Sequence, residues 1–168
     1  KDIGVDIDIE ENGTSFEENA VIKAKAVMEV TGEMVLADDS GFEVDALNGE
    51  PGIYSARYMG EDTPYSVKNA ELIRRCEGVP DEKRGARFVC VIACAYPDGT
   101  VDTAKGVIEG RLAHEPAGEN GFGYDPIFYL PERGCTTGEL EPEEKNKISH
   151  RGLAIAKMVE ILKKRGTV

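Results

Sequence analysis

Positive charge is in short supply: 20 Lys and Arg stand against 32 Asp and Glu, a formal net charge of −12 over 168 residues. A surface that tracks a nucleic-acid backbone needs a broad basic field, so no nucleic-acid partner is expected. An anionic ligand would instead need a local positive pocket. The four cysteines (Cys76, Cys90, Cys94, Cys135) form no C-x-x-C pair and no finger-like spacing with His114 or His150. Cys90 and Cys94 sit in an apolar run, where thiols act as small hydrophobes, and a reduced compartment is the simplest reading. Long apolar runs are missing as well. The longest, Phe88 to Tyr96, is far too short to span a bilayer, and no signal peptide is visible. No membrane partner is therefore expected, and a cytoplasmic location is. There is no Walker loop, no Ser-His-Asp set and no cysteine nucleophile.

What is there alternates between helical and strand patterns, which predicts an α/β or α+β domain. Ser15 and Glu18 have capping-box spacing, followed by Ala20, Ala24, Val27 and Met28 on one helical stripe that Gly32 closes. Met34-Val35-Leu36-Ala37 predicts a short buried strand ending at Asp38. Asn48-Gly49 and Pro51-Gly52 are turn signals. A second helix is predicted from Pro64 to Cys76, with Thr63 as cap and Gly78 and Pro80 behind it. Arg87 to Tyr96 and Val101 to Ile108 read as a hairpin around Pro97-Asp98-Gly99. Residues 117–123 are glycine-rich and predict a flexible loop, followed by a strand at Ile127 to Leu130. The last helix shows Ile155, Met158, Val159 and Leu162 at helical spacing, with Ser149 as cap.

Four constellations can carry chemistry. Asp38-Asp39-Ser40-Gly41 follows a strand, and adjacent carboxylates there can hold Mg²⁺, a hard cation that bridges to phosphates. The same four residues are also ordinary turn formers. Lys145-Asn146-Lys147-Ile148-Ser149-His150-Arg151 gathers cations in an acidic chain, at a helix start that favours anionic ligand atoms. The plain alternative is a solvated connection between helices. Gly118-Glu119-Asn120-Gly121-Phe122-Gly123-Tyr124-Asp125 offers aromatics held by glycines that can stack on a base, or else pack on the core. Asn19 and Lys23 share one helix face. Together these point to Mg²⁺-dependent phosphate chemistry on a nucleotide.

In order along the chain, Glu11 to Ala20 with Lys23-Ala24, Leu36 to Gly41, Pro51 to Tyr58, Gly121 to Pro126 and Glu144 to Gly152 resemble the inosine triphosphate pyrophosphatases, the non-standard purine NTP pyrophosphatases. The resemblance covers essentially the whole chain. It implies an α/β fold with an elongated, twisted, mixed sheet, two lobes around a central nucleotide cleft, and a homodimer. The implied activity is hydrolysis of ITP, dITP or XTP to the monophosphate and pyrophosphate, with Mg²⁺. Asp39 would be metal ligand and general base, with Glu11 (or Glu10) completing the metal shell and Ser40 beside the substrate. Lys23 and Lys145 would bind phosphates. Phe122 would stack on the base, with Gly123, Tyr124 and Asp125 shaping the pocket, and His150 and Arg151 would read the 6-oxo group. Residues 1–168 are expected to form a single pyrophosphatase domain that opens, at Lys1 to Val5, beyond the family's first strand and its Thr-Gly-Asn-x-x-Lys loop. Cys135 and Gly138 also depart from the family pattern. Other readings stay open: a relative preferring modified pyrimidine nucleotides, a nucleotide-binding but catalytically impaired fragment, or a structural domain.

Overall fold

A computed structural model describes residues 6–168; Lys1 to Val5, where the resemblance places the junction with the family's opening unit, lie outside the described residues. Among the described residues, four α-helices accompany a five-stranded sheet of order β1-β2-β3-β4-β5. The strands are β1 (Val35–Val44), β2 (Gly85–Ala95), β3 (Val101–Leu112), β4 (Phe128–Leu130) and β5 (Cys135–Thr136). The helices are α1 (Phe16–Thr31), α2 (Tyr65–Arg75), α3 (Pro142–Ile148) and α4 (His150–Arg165). The pairings β3–β4 and β4–β5 are antiparallel, with Arg111 opposite Tyr129 and Tyr129 opposite Thr136. Backbone contacts divide the chain into two compact units: Lys1–Ser40 with Cys90–Gly106 and Arg151–Val168, and Gly41–Val89 with Val107–His150.

In the first unit, α1 begins where Ser15 accepts a hydrogen bond from the Glu18 amide (3.1 Å) and ends at Gly32 in the left-handed region. The reciprocal half of the capping box does not form. Glu18 turns instead to the amide and hydroxyl of Thr14 (2.6 and 3.0 Å), a local partner that fixes the chain one residue earlier. Ala20 and Ala24 are fully buried, while Val27 and Met28 are only half-buried. The core of this unit includes Cys90 and Cys94 of β2 and Ala154, Met158 and Leu162 of α4. That helix buries an i, i+4, i+8 line rather than the expected stripe, and leaves Ile155 and Val159 on an open groove beside Leu36. All four cysteines are free thiols.

The second unit is built on Phe42, Val44, Leu72, Ile127 and Phe128, with Phe42 stacked on Tyr124 at 5.2 Å. Two cations are interior. Arg84 donates to the carbonyls of Cys76, Leu112 and Ala113, and Lys68 donates to that of Ala56 while standing 4.7 Å from the Tyr65 ring centre. Each is buried against carbonyl dipoles that meet part of the desolvation cost.

Several expectations need correction. The strand predicted to stop at Asp38 runs on to Val44, because Phe42 and Val44 bury themselves completely and sheet pairing overrides the turn propensity of Asp-Asp-Ser-Gly. Its start is not buried: Leu36 is 51% exposed. Thr63 does not cap α2, since its hydroxyl donates to the Met59 carbonyl (2.7 Å) and Pro64 takes the cap position. The short helix α3, opened by Pro142, was not anticipated. The glycine loop at 117–123 is tied down rather than free. Asn120 N–H donates to the Gly138 carbonyl (2.9 Å), and a Cβ on Gly118 would run into the Gly138 backbone. No helix among the described residues is long and apolar enough to cross a membrane.

Candidate active site

Two groups of site residues are assembled, one in each unit. The first is built from α1, the turn before it and β1. Asn19, buried on the inward side of α1, accepts the Gly13 amide on its side-chain oxygen (2.8 Å). A Cβ at position 13 would collide with that oxygen, so the glycine allows the close approach that pins the 11–13 segment to the helix. Glu11 is thereby held beside Lys23, whose Nζ lies 2.8 Å from Glu11 Oε1 and 3.1 Å from Asp39 Oδ1. Glu10 is exposed and makes no such contact, which favours Glu11 of the two.

A strand sends successive side chains to opposite faces, and β1 runs straight through the Asp pair. Asp39 meets Lys23, whereas Asp38 Oδ2 meets Arg151 at 3.0 Å and the Cys90 thiol at 4.0 Å. The adjacent carboxylates therefore do not converge on one cation, contrary to the expectation drawn from their adjacency. Ser40 falls by the same period on the Asp38 side. It is half-buried.

Asp39 Oδ2 is buried and has no hydrogen-bond partner. Burial raises the carboxyl above its usual range; Lys23 and, more weakly, the neighbouring Asn19 side chain, which does not reach Oδ2 at hydrogen-bond geometry, oppose this, and the Glu11 charge adds to it. Burial works against the charge on Lys23, but Glu11 and Asp39 together outweigh it and hold the amine above the ordinary lysine value. The two shifts agree physically: one ammonium is shared by two carboxylates, and Asp39 is the more desolvated of them. An orphaned carboxylate oxygen beside a second carboxylate fits a hard divalent cation. Among the described residues no cluster of three or more His, Cys, Asp or Glu could hold a metal. Glu11 and Asp39 would thus leave the remaining positions to water and ligand phosphates, the usual manner of Mg²⁺.

The second group surrounds the glycine loop. Asp125, 2% exposed, accepts the Phe122 amide (2.9 Å) and the Thr137 hydroxyl (2.8 Å), and pairs with Lys145 of α3. Lys145 Nζ also stands 4.6 Å from the centre of the Phe122 ring, which is 75% exposed. Tyr124 is not an open face: its hydroxyl donates to the Ser55 carbonyl (2.5 Å) and its ring meets Tyr65 edge-on at 5.2 Å. Burial pushes that phenol well above its usual value. His150 stacks on Phe88 with ring centres 5.0 Å apart.

Sequence reading missed the supports of this loop. Asn69 of α2 is buried and donates to the Gly123 carbonyl (3.1 Å), Thr137 holds Asp125, and Ser55 holds Tyr124. A signal existed at one of them: Lys68 and Asn69 lie on the inward side of α2 with Leu72, where polar residues need a reason.

In class, this is an α/β protein with one lysine between two carboxylates and an exposed aromatic beside a lysine–aspartate pair, groups suited to a phosphorylated ligand. Residues 1–161 match the Ham1 family, and the chain belongs to it. It is 55% identical over 155 residues to a dITP/XTP pyrophosphatase of Desulforamulus reducens, covering 92% of this chain and 77% of that protein. A dITP/XTP pyrophosphatase of Geobacillus kaustophilus is 52% identical over 153 residues, covering 91% and 75%. The solved structure of the Staphylococcus aureus Ham1 protein matches with a TM-score of 0.91 at 46% identity, over 95% of this chain and 82% of that one.

Proposed function

We propose that this chain hydrolyses aberrant purine nucleoside triphosphates (ITP, dITP, XTP) to the monophosphate and pyrophosphate, and so cleanses the nucleotide pool. Its family implies a nucleoside triphosphate substrate and a divalent metal cofactor. The finer assignments are Mg²⁺ as the metal, one catalytic domain over residues 1–168, a homodimer and a cytoplasmic location. The observation that carries the reading is Asp39, with one oxygen on Lys23 and the other buried without a partner beside Glu11.

Glu11 and Asp39 would hold the cation, which when bound offsets the charge of the triphosphate. Asp39 accepts a proton from a water whose oxygen forms a bond to the α-phosphorus, while the bond from that phosphorus to the bridging oxygen breaks and pyrophosphate leaves. A carboxyl raised by burial is a better base than an ordinary one. Lys23 and Lys145 supply positive charge to the phosphates. Phe122 stacks on the base, while Gly123, Tyr124 and Asp125 fix the loop that presents it. His150 and Arg151 donate to the 6-oxo group, so adenine, which offers no acceptor there, leaves these donors unpaired. The test is pyrophosphate release from ITP, XTP and ATP with Mg²⁺, by this chain and by Asp39→Asn. Turnover of ITP and XTP that falls by at least about a hundredfold in the variant supports the reading. Equal turnover by the two proteins would remove Asp39 from the chemistry.

A further inference from the structure

Lys23 stands where a cation would have to go. Its Nζ lies between Glu11 Oε1 and Asp39 Oδ1, at 2.8 and 3.1 Å, and these are the two carboxylates that the proposed function assigns to the metal. Three groups of charge −1, −1 and +1 share a part-buried space, and a divalent ion drawing on the same oxygens would face the ammonium at close range. Both cations cannot be accommodated there. The ammonium also leaves work undone, because Asp39 Oδ2 stays buried and unpartnered. A hard cation with several open positions can meet that oxygen, where an ammonium directed at Oδ1 does not.

We propose that Lys23 is a place-holder: its ammonium occupies the cation seat in the nucleotide-free protein and is displaced when the divalent ion enters. The inference rests on the metal reading above and adds an exchange to it. Lysine suits the task because a compact charge on a flexible four-carbon stem can move several ångströms without disturbing the helix that carries it. While seated, it keeps Glu11 and Asp39 from facing each other as bare like charges. Once displaced, it remains at the site's edge as a free positive charge, which is what an incoming phosphate requires. The pinned 11–13 segment keeps Glu11 in position through the exchange, since Asn19 holds Gly13 independently of Lys23.

The test is Mn²⁺ binding to the nucleotide-free chain, read by electron paramagnetic resonance, for the wild type, Lys23→Met and Asp39→Asn. Removing the competing ammonium should tighten Mn²⁺ binding about tenfold in Lys23→Met, and Asp39→Asn should lose it. If Lys23→Met binds Mn²⁺ no better than the wild type while Asp39→Asn loses binding, the seat exists and the place-holder does not. If Asp39→Asn binds like the wild type, the metal reading falls and the exchange with it. A wild-type measurement guards against a variant that fails to fold. With ¹³C-labelled lysine ε-methylenes, the resonance missing from Lys23→Arg should shift on Mg²⁺ addition, and a resonance that stays put overturns the proposal.

Discussion

Replacing Lys145 by Met isolates the price of leaving Asp125 without its counter-charge. Asp125 is 2% exposed and the Lys145 side chain 18%, so the pair is largely dry. Removing one member of a buried ion pair costs about 3–5 kcal/mol, because the other charge stays behind. Two features lower that figure here. Asp125 keeps the Phe122 amide and the Thr137 hydroxyl, and the open edge of Lys145 admits water to the vacated side. Methionine also keeps most of the buried stem volume, so no large cavity adds to the cost. The expected loss is about 2–3 kcal/mol, which in a chain of this size lowers the melting temperature by about 5–10 °C. Circular dichroism melts of Lys145→Met, Asp125→Asn and the double variant make the assay. The double variant should recover part of the loss, since no bare charge remains. A Lys145→Met melting temperature within about 2 °C of the wild type would refute the view that this pair is buried and mutually dependent.

Three further outcomes follow from the same geometry. Ser15→Ala should cost about 1 kcal/mol in urea unfolding through loss of the α1 cap, and an unchanged midpoint would mean that the Thr14–Glu18 contact alone starts the helix. Because burial raises Asp39, the folded state holds its proton more tightly than the unfolded one, so this carboxyl's contribution to stability is full at low pH. It is lost as pH rises through the raised value. Asp39→Asn should therefore gain on the wild type in melting temperature as pH climbs above the ordinary carboxyl value of about 4, and a difference flat with pH would contradict the burial argument. Asp38 and Arg151 form an exposed pair whose loss should move stability by less than about 1 kcal/mol. In selectivity for ITP over ATP, however, Asp38→Asn should add nothing once Arg151→Ala is present, whereas additive effects would show that Asp38 does not act through Arg151.

Local signals told the truth where the deciding partner lay nearby in the chain. Ser15 capped α1, Gly32 ended it, and Pro97-Asp98-Gly99 turned the hairpin, with Gly99 N–H donating to the Tyr96 carbonyl at 2.9 Å. They failed where a distant partner decides. Asp38 to Gly41 read as a turn because nothing in those residues announces that Phe42 and Val44 will be drawn into a core made with Ile127 and Phe128. Ile155 and Val159 read as buried because helical spacing cannot say which line of α4 meets β2. The site residues were legible as motifs, and Glu11, Lys23 and Asp39 do meet. Their supports were only faintly legible: Asn19 shares a helix face with Lys23 and Asn69 lies on the inward side of α2, but the backbone groups of Gly13 and Gly123 that they hold carry no sequence signature.

The two neighbouring aspartates of β1 are chemically identical, and only parity distinguishes them. Asp39 points to the lysine of α1 and Asp38 to the arginine at the start of α4. A single residue inserted or deleted between Val35 and Asp38 would exchange their assignments without altering the composition of the motif. The protein would keep its Asp-Asp-Ser-Gly signature while presenting a different carboxylate, with a different following residue, to Lys23 and Glu11. Pattern searches would still accept such a variant, yet its base would sit one step out of phase with everything downstream. The length of the strand before the motif is therefore as much a part of the candidate active site as the aspartates themselves.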